Sequence, residues 1–172
     1  QRAHALAPGF MGDDQWVEKD CPVPDVRVWR LPQPRVIAGA SPEGFKMQGV
    51  VHGVSPRALA LGLTGDVGHH ESEGQERRLV AQIDAKTKIW FDVDPYGKGM
   101  VARERLYVES WAEAEDGKIT IVGMPIELPE EPVGRAGWRS RVRAEYYEVK
   151  QLEATTGGTR ATIASEVKTG AP

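Results

Sequence analysis

Three arginines at alternate positions, Arg139, Arg141 and Arg143, are the sharpest chemical signal in the chain. On a strand, residues two apart share a face, so the three guanidinium groups would form one row. Arg135 lies just upstream and enlarges the basic patch. A guanidinium fork fits phosphate or carboxylate. One reading is therefore a site for a lipid phosphate or an acidic partner. The other is a solvent-facing row paired with Glu104, Glu109 or Glu145 on neighbouring strands. Trp138, Ser140, Val142, Ala144 and Tyr146 fall on the opposite face of the same strand. Arginines pointing into a cavity would need a partner there.

The other reactive residues point to no catalytic or metal chemistry. His52, His69, His70 and Glu71 are the only histidine-rich set, and two adjacent histidines on a polar loop do not preform a tetrahedral site. Cys21 sits beside Asp20 among Pro-rich turns, not in the electropositive niche a thiolate needs. No G-x-S-x-G, P-loop or dinucleotide fingerprint is present. Gly97-Lys98-Gly99 reads as a turn between strands, since no helix follows to cradle phosphate. No enzyme activity, metal or cofactor is expected.

The elements that must carry these residues fit one domain of 172 residues. The hydrophobic fraction is 40%, enough for a core, and the mean hydropathy of -0.43 argues against a membrane protein. No run approaches the roughly 18 apolar residues of a spanning helix. A net charge of -3 and a pI near 5.9 do not favour nucleic acid. A single cysteine excludes an internal disulfide framework and suggests an intracellular protein, soluble or peripheral. The chain starts at Gln1 without a signal-peptide core, and an organelle reached after leader removal is compatible with that.

Residues 1–34 carry five prolines and little pattern. We read residues 1–24 as a Pro-rich arm and residues 25–172 as the domain. Asp13-Asp14 could cap a short helix through Trp16 and Lys19. Val26–Arg30 and Phe45–Val51 read as strands. Ser55-Pro56 starts a helix that runs to Gly65. From Arg77 the pattern is all strand. Leu79–Ile83 pairs with Thr87–Val93, Arg103–Trp111 with Lys118–Met124 across Asp116-Gly117, and Trp138–Leu152 with Arg160–Val167 across Gly157-Gly158. Leu128–Gly137 is a Pro/Gly-rich connection. Seven to nine strands and one clear helix make an α+β fold with a curved antiparallel sheet.

In order and spacing these pieces resemble the START (StAR-related lipid-transfer) helix-grip domains over roughly residues 13–172. The resemblance rests on Phe45–Val51 followed by Val54–Leu59, on Thr87-Lys88-Ile89, on Arg103-Glu104 where the family has Arg-Asp, and on Val122-Gly123-Met124. Leu128-Pro129, Val142-Arg143-Ala144 and Gly157-Gly158-Thr159 complete it. Several positions depart from the family. His70-Glu71 stands nearest to its Trp-Asp, Arg105 replaces an aromatic, and Glu109 replaces the cavity arginine of sterol-binding members. The family's long C-terminal helix is expected to be missing, since residues 1–172 end at Gly170-Ala171-Pro172.

The resemblance implies a non-catalytic module that encloses a lipid or other hydrophobic ligand. Inward residues are expected to be Trp90, Val93, Leu106, Val108, Ile119, Ile121 and Val142, with Arg103, Arg139 and Arg143 as polar anchors. A second hypothesis is an accessory or scaffolding subunit of a larger complex, organellar or membrane-associated. Its partner protein would cover the place of the missing helix, because large exposed apolar patches are rare on free monomers.

Overall fold

Asp116-Gly117 closes the hairpin expected at the centre of the chain. The structure, a computed structural model, describes residues 16–32, 43–65, 76–94, 102–129 and 141–169. Strands β6 (Ala102–Glu113) and β7 (Ile119–Pro125) pair antiparallel from Tyr107↔Pro125 to Glu113↔Ile119. Gly117 adopts φ +79°, where a side chain is disfavoured. The Asp116 carboxylate accepts from the Lys118 N–H at 3.0 Å, so the turn fixes itself locally.

The other strands are β1 (Val17–Lys19), β2 (Arg27–Arg30), β3 (Glu43–His52), β4 (Glu76–Asp84), β5 (Thr87–Asp94), β8 (Arg141–Thr155) and β9 (Gly158–Thr169). They form one nine-stranded sheet in the order β1-β2-β3-β9-β8-β7-β6-β5-β4. All neighbours are antiparallel. One extra parallel pairing joins Ala102–Glu104 of β6 to Arg141–Arg143 of β8, beyond the end of the shorter β7. Gly158 is required where β9 meets β3, since a Cβ there would lie 2.3 Å from the Val51 carbonyl oxygen. β4 pairs with β5 through two register shifts, which bend this edge of the sheet.

The helix α1 (Pro56–Thr64) begins as expected. Ser55 is its N-cap and accepts from the Ala58 N–H at 3.3 Å, and Pro56 occupies the first turn. The helix is short for its own stability. Packing holds it: Ala60 is fully buried against Trp111, Ile119, Ile121 and Leu152. Following the strand registers from these residues divides the sheet into an inner face, on which α1 lies, and an outer face. The outer face has its own apolar clusters. Trp16, Trp29 and Leu31 cover Val122, Val149 and Ala164, and Ile126 and Leu128 cover Phe91, Val93 and Leu106.

One expected element is corrected. The short helix through Trp16 and Lys19 is absent, and Val17–Lys19 is β1, paired with Val28–Arg30. Pairing with β2, reinforced by Arg27 against Glu18 at 2.9 Å, outweighs the local capping signal. β1 lies inside the segment read as an arm and forms the outer strand of the sheet. Residues 1–15, the His69-His70-Glu71 set, Gly97-Lys98-Gly99, Arg135 to Ser140 and Gly170–Pro172 lie outside the described residues.

Candidate ligand-binding site

The inner face carries an apolar strip beside a polar belt. The strip comes from β3 and β9, where Met47 faces Ile163 and Phe45 faces Ser165 across the strand pair. Phe45 is 42% exposed, and Met47 and Ile163 are half-buried. At one end α1 closes over Trp111, Ile119, Ile121 and Leu152.

The belt comes from β4, β5, β6 and β8. Its residues recur at alternate positions, Arg105, Tyr107 and Glu109 on β6 and Tyr146, Glu148 and Lys150 on β8, so all of them share the inner face. Asp92 is the first hub. Arg77 Nε lies 3.5 Å and Arg105 Nη2 3.3 Å from its carboxylate oxygens, and the Tyr107 hydroxyl donates to it at 3.0 Å. The Arg77 guanidinium stacks 4.2 Å from the Trp90 ring centroid. Arg105 lies 4.8 Å from the Tyr146 ring, which meets Tyr107 edge-on at 6.0 Å.

Glu148 is the second hub. It accepts from the Tyr146 hydroxyl and from Lys150, and Lys150 also reaches Glu109 Oε2 at 3.6 Å. β7 lies between these partners, and its position facing Glu109 and Glu148 is Gly123. Without a side chain there, groups from β6 and β8 meet over the glycine. Lys88 extends the belt to the helix, donating to the Thr64 carbonyl at 3.0 Å.

Burial sets the electrostatics. Charges this far from water need partners, and each cation of the belt has one. Burial pushes the Glu109 carboxyl above the usual carboxylate range, opposed by Lys150 and then Arg77. Burial also drives the Tyr107 and Tyr146 hydroxyls far above their ordinary value, with the charges of Asp92 and Glu148 adding to the effect. Both tyrosines therefore stay neutral donors. Glu109 Oε1 and Ser165 Oγ are buried without a hydrogen-bond partner among the described residues. The Trp90 indole N–H adjoins the Glu109 carboxylate but falls outside hydrogen-bond geometry.

The expected site residues divide between the two faces. Trp90, Ile119 and Ile121 lie on the inner face, and Arg103 falls on its register. The Val142 backbone pairs with Arg103; its side chain, like that of Arg141, lies outside the described set. Val93, Leu106, Val108 and Arg143 lie on the outer face, so the expected residues do not line one cavity. Leu106 and Val93 are buried there with Phe91. Arg143 donates to the buried Glu104 at 3.0 Å, so this one arginine of the row is paired with a neighbouring strand and is half-buried, not solvent-facing. Arg139 lies outside the described residues. Hydropathy on β6 does not reveal the belt, because its most apolar residues, Leu106 and Val108, face the outer side. The signal that could have found it is the run of polar and aromatic residues in phase with Trp111 and Leu152.

No family model and no curated relative matches the chain. Solved structures do. Human StAR-related lipid transfer protein 5 superposes with a TM-score of 0.75 at 15% identity, over 100% of this chain and 83% of that one. Human STARD10 gives 0.74 at 14% identity, over 97% of this chain and 65% of its own. A STAR-related lipid transfer protein from Xanthomonas axonopodis gives 0.70 at 13% identity, over 92% and 86%. These identities speak for the fold. The chain has the START-type helix-grip fold, among the described residues a nine-stranded sheet with a helix packed on one end of its inner face.

Proposed function

We propose that the chain binds a lipid or other hydrophobic ligand on the inner face of its sheet and carries out no chemistry on it. One observation carries the reading: an apolar strip, the exposed Phe45 with the half-buried Met47 and Ile163, runs beside the buried polar belt on the face that α1 grips. Ligand sites combine these features, an apolar wall for bulk and a few fixed polar groups for orientation. The similar solved structures are lipid transfer proteins by their names, which supports the same reading. The ligand-contacting residues we assign are Trp90, Tyr107, Glu109, Tyr146 and Ile163, with Arg103 at the rim.

The test is transfer of a fluorescent phosphatidylcholine between vesicles by residues 1–172. Uptake that saturates with protein, weakened by Ile163→Asp, is the expected result. A folded, monodisperse chain that neither binds nor moves any lipid would overturn the reading.

A further inference from the structure

The start of α1 is tied down firmly. The Gly53 N–H donates to the Gly157 carbonyl at 2.8 Å, and the buried Thr159 hydroxyl donates to the Val54 carbonyl at 2.6 Å. Ser55 then caps the helix. The last turn, residues 61–64, is held less. No basic side chain stands in it to meet its orphan carbonyls. Gly65 beyond it is extended, at φ -86° and ψ 172°, so no left-handed residue closes the end. Gly62 adds backbone freedom, and Leu61 is exposed. Leu63 reaches the core, but the turn also borders a cleft of about 90 Å³, lined on the sheet side by Lys86, Lys88, Glu109 and Trp111. The Lys88 ammonium joins the two sides of this cleft by donating to the Thr64 carbonyl at 3.0 Å.

A segment with an anchored start, a weakly closed end and a gap beneath it opens locally before the rest of the fold does. We propose that the last turn of α1 is a gate over the inner face, latched by Lys88, and that ligand enters and leaves beside it. The inference rests on the binding reading above and names the route to that site. Opening releases the Lys88 bond and the Leu63 contact while the first turn stays fixed. The cleft then widens toward the buried Glu109 and Trp111. Lys88 is a positioning residue in this account: it holds the gate and does not touch the ligand.

Substitutions in residues 1–172, loaded with the fluorescent phosphatidylcholine, test it. Lys88→Met keeps a long side chain and removes the donor, and Lys88→Arg keeps a donor. Gly62→Ala stiffens the turn, and a Cβ there meets nothing within 4 Å. Two rates are read: amide hydrogen exchange in residues 61–64, and lipid release to excess acceptor vesicles. Lys88→Met should quicken both about tenfold, the weight of one hydrogen bond from a charged donor. The equilibrium partition of lipid should not change, because loading quickens equally. Gly62→Ala should slow both about fourfold, the helix preference of alanine over glycine. Lys88→Arg should restore the unaltered rates. Exchange untouched by Lys88→Met overturns the latch. Exchange that quickens while release does not overturns the route. A shifted partition places Lys88 on the ligand and overturns its assignment as latch. Failure of every form to take up lipid overturns the route together with the binding reading, and exchange then still decides the latch. Thermal melts establish that each variant is folded. If Lys88→Met does not fold, the slowing by Gly62→Ala decides.

Discussion

Gly123 separates the two hubs of the belt, and lengthening its side chain should act against strand propensity. A Cβ at position 123 would sit 3.7 Å from the Glu148 Cβ and 3.8 Å from Tyr107 Cδ2, ordinary van der Waals distances. Gly123→Ala therefore fits and reduces the freedom of the unfolded chain. It should leave stability unchanged or raise it by up to about 1 kcal/mol. Gly123→Val adds two methyl groups, each about 1.5 Å further out. They enter the space where Tyr107, Glu109, Glu148 and Lys150 meet. Valine is the better strand former, yet overpacking of this kind costs about 1–3 kcal/mol. For a chain of this size the loss lowers the melting temperature by roughly 2–12 °C. Urea denaturation and thermal melts of the Gly, Ala and Val forms supply the comparison. A valine variant as stable as the alanine variant would refute the placement of the belt over Gly123.

Three further outcomes follow from the same packing. Leu152→Ala, fully buried beneath α1, should cost about 2–5 kcal/mol, whereas Leu61→Ala, at 57% exposure on the same helix, should stay within about 0.5, both read by denaturant melts. Glu109 holds its proton more tightly folded than unfolded, so its contribution is full below the ordinary value of 4.5 and is lost as pH rises through the raised folded value. Glu109→Gln should then melt higher than the unaltered chain at neutral pH, with the gap closing at acid pH; a gap independent of pH contradicts the burial assigned to this carboxyl. Gly158→Ala forces a Cβ onto the Val51 carbonyl oxygen and should loosen the β3–β9 pairing, seen as faster amide exchange in Val50 to His52.

Most of the fold was legible because local chemistry and tertiary pairing agree. Ser55-Pro56, Asp116-Gly117 and the Gly157-Gly158 region each mark an element end whose residue types the backbone requires. The failure at Val17–Lys19 has the opposite cause: a three-residue edge strand has no periodicity of its own and exists only through β2. The site was less legible. Leu106 and Val108 look inward by hydropathy, but this sheet buries both faces, and apolar residues mark the side covered by Ile126 and Leu128 as readily as the ligand side. The inner face instead carries Arg105, Tyr107 and Glu109, polar residues that burial tolerates because β8 supplies Tyr146, Glu148 and Lys150 opposite them. Such pairing across β7 depends on register and cannot be read from one strand.

The central claim is that the ligand occupies the inner face, and photocrosslinking addresses it most directly. A fatty alcohol bearing a diazirine midway along its chain is irradiated with residues 1–172, and adducts are located by peptide mass spectrometry. The account predicts adducts on inner-face positions, Phe45, Met47, Tyr146 and Ile163, that excess unlabelled alcohol competes away. Competable adducts concentrated on the outer face, at Val108, Met124 or Trp29, would contradict it.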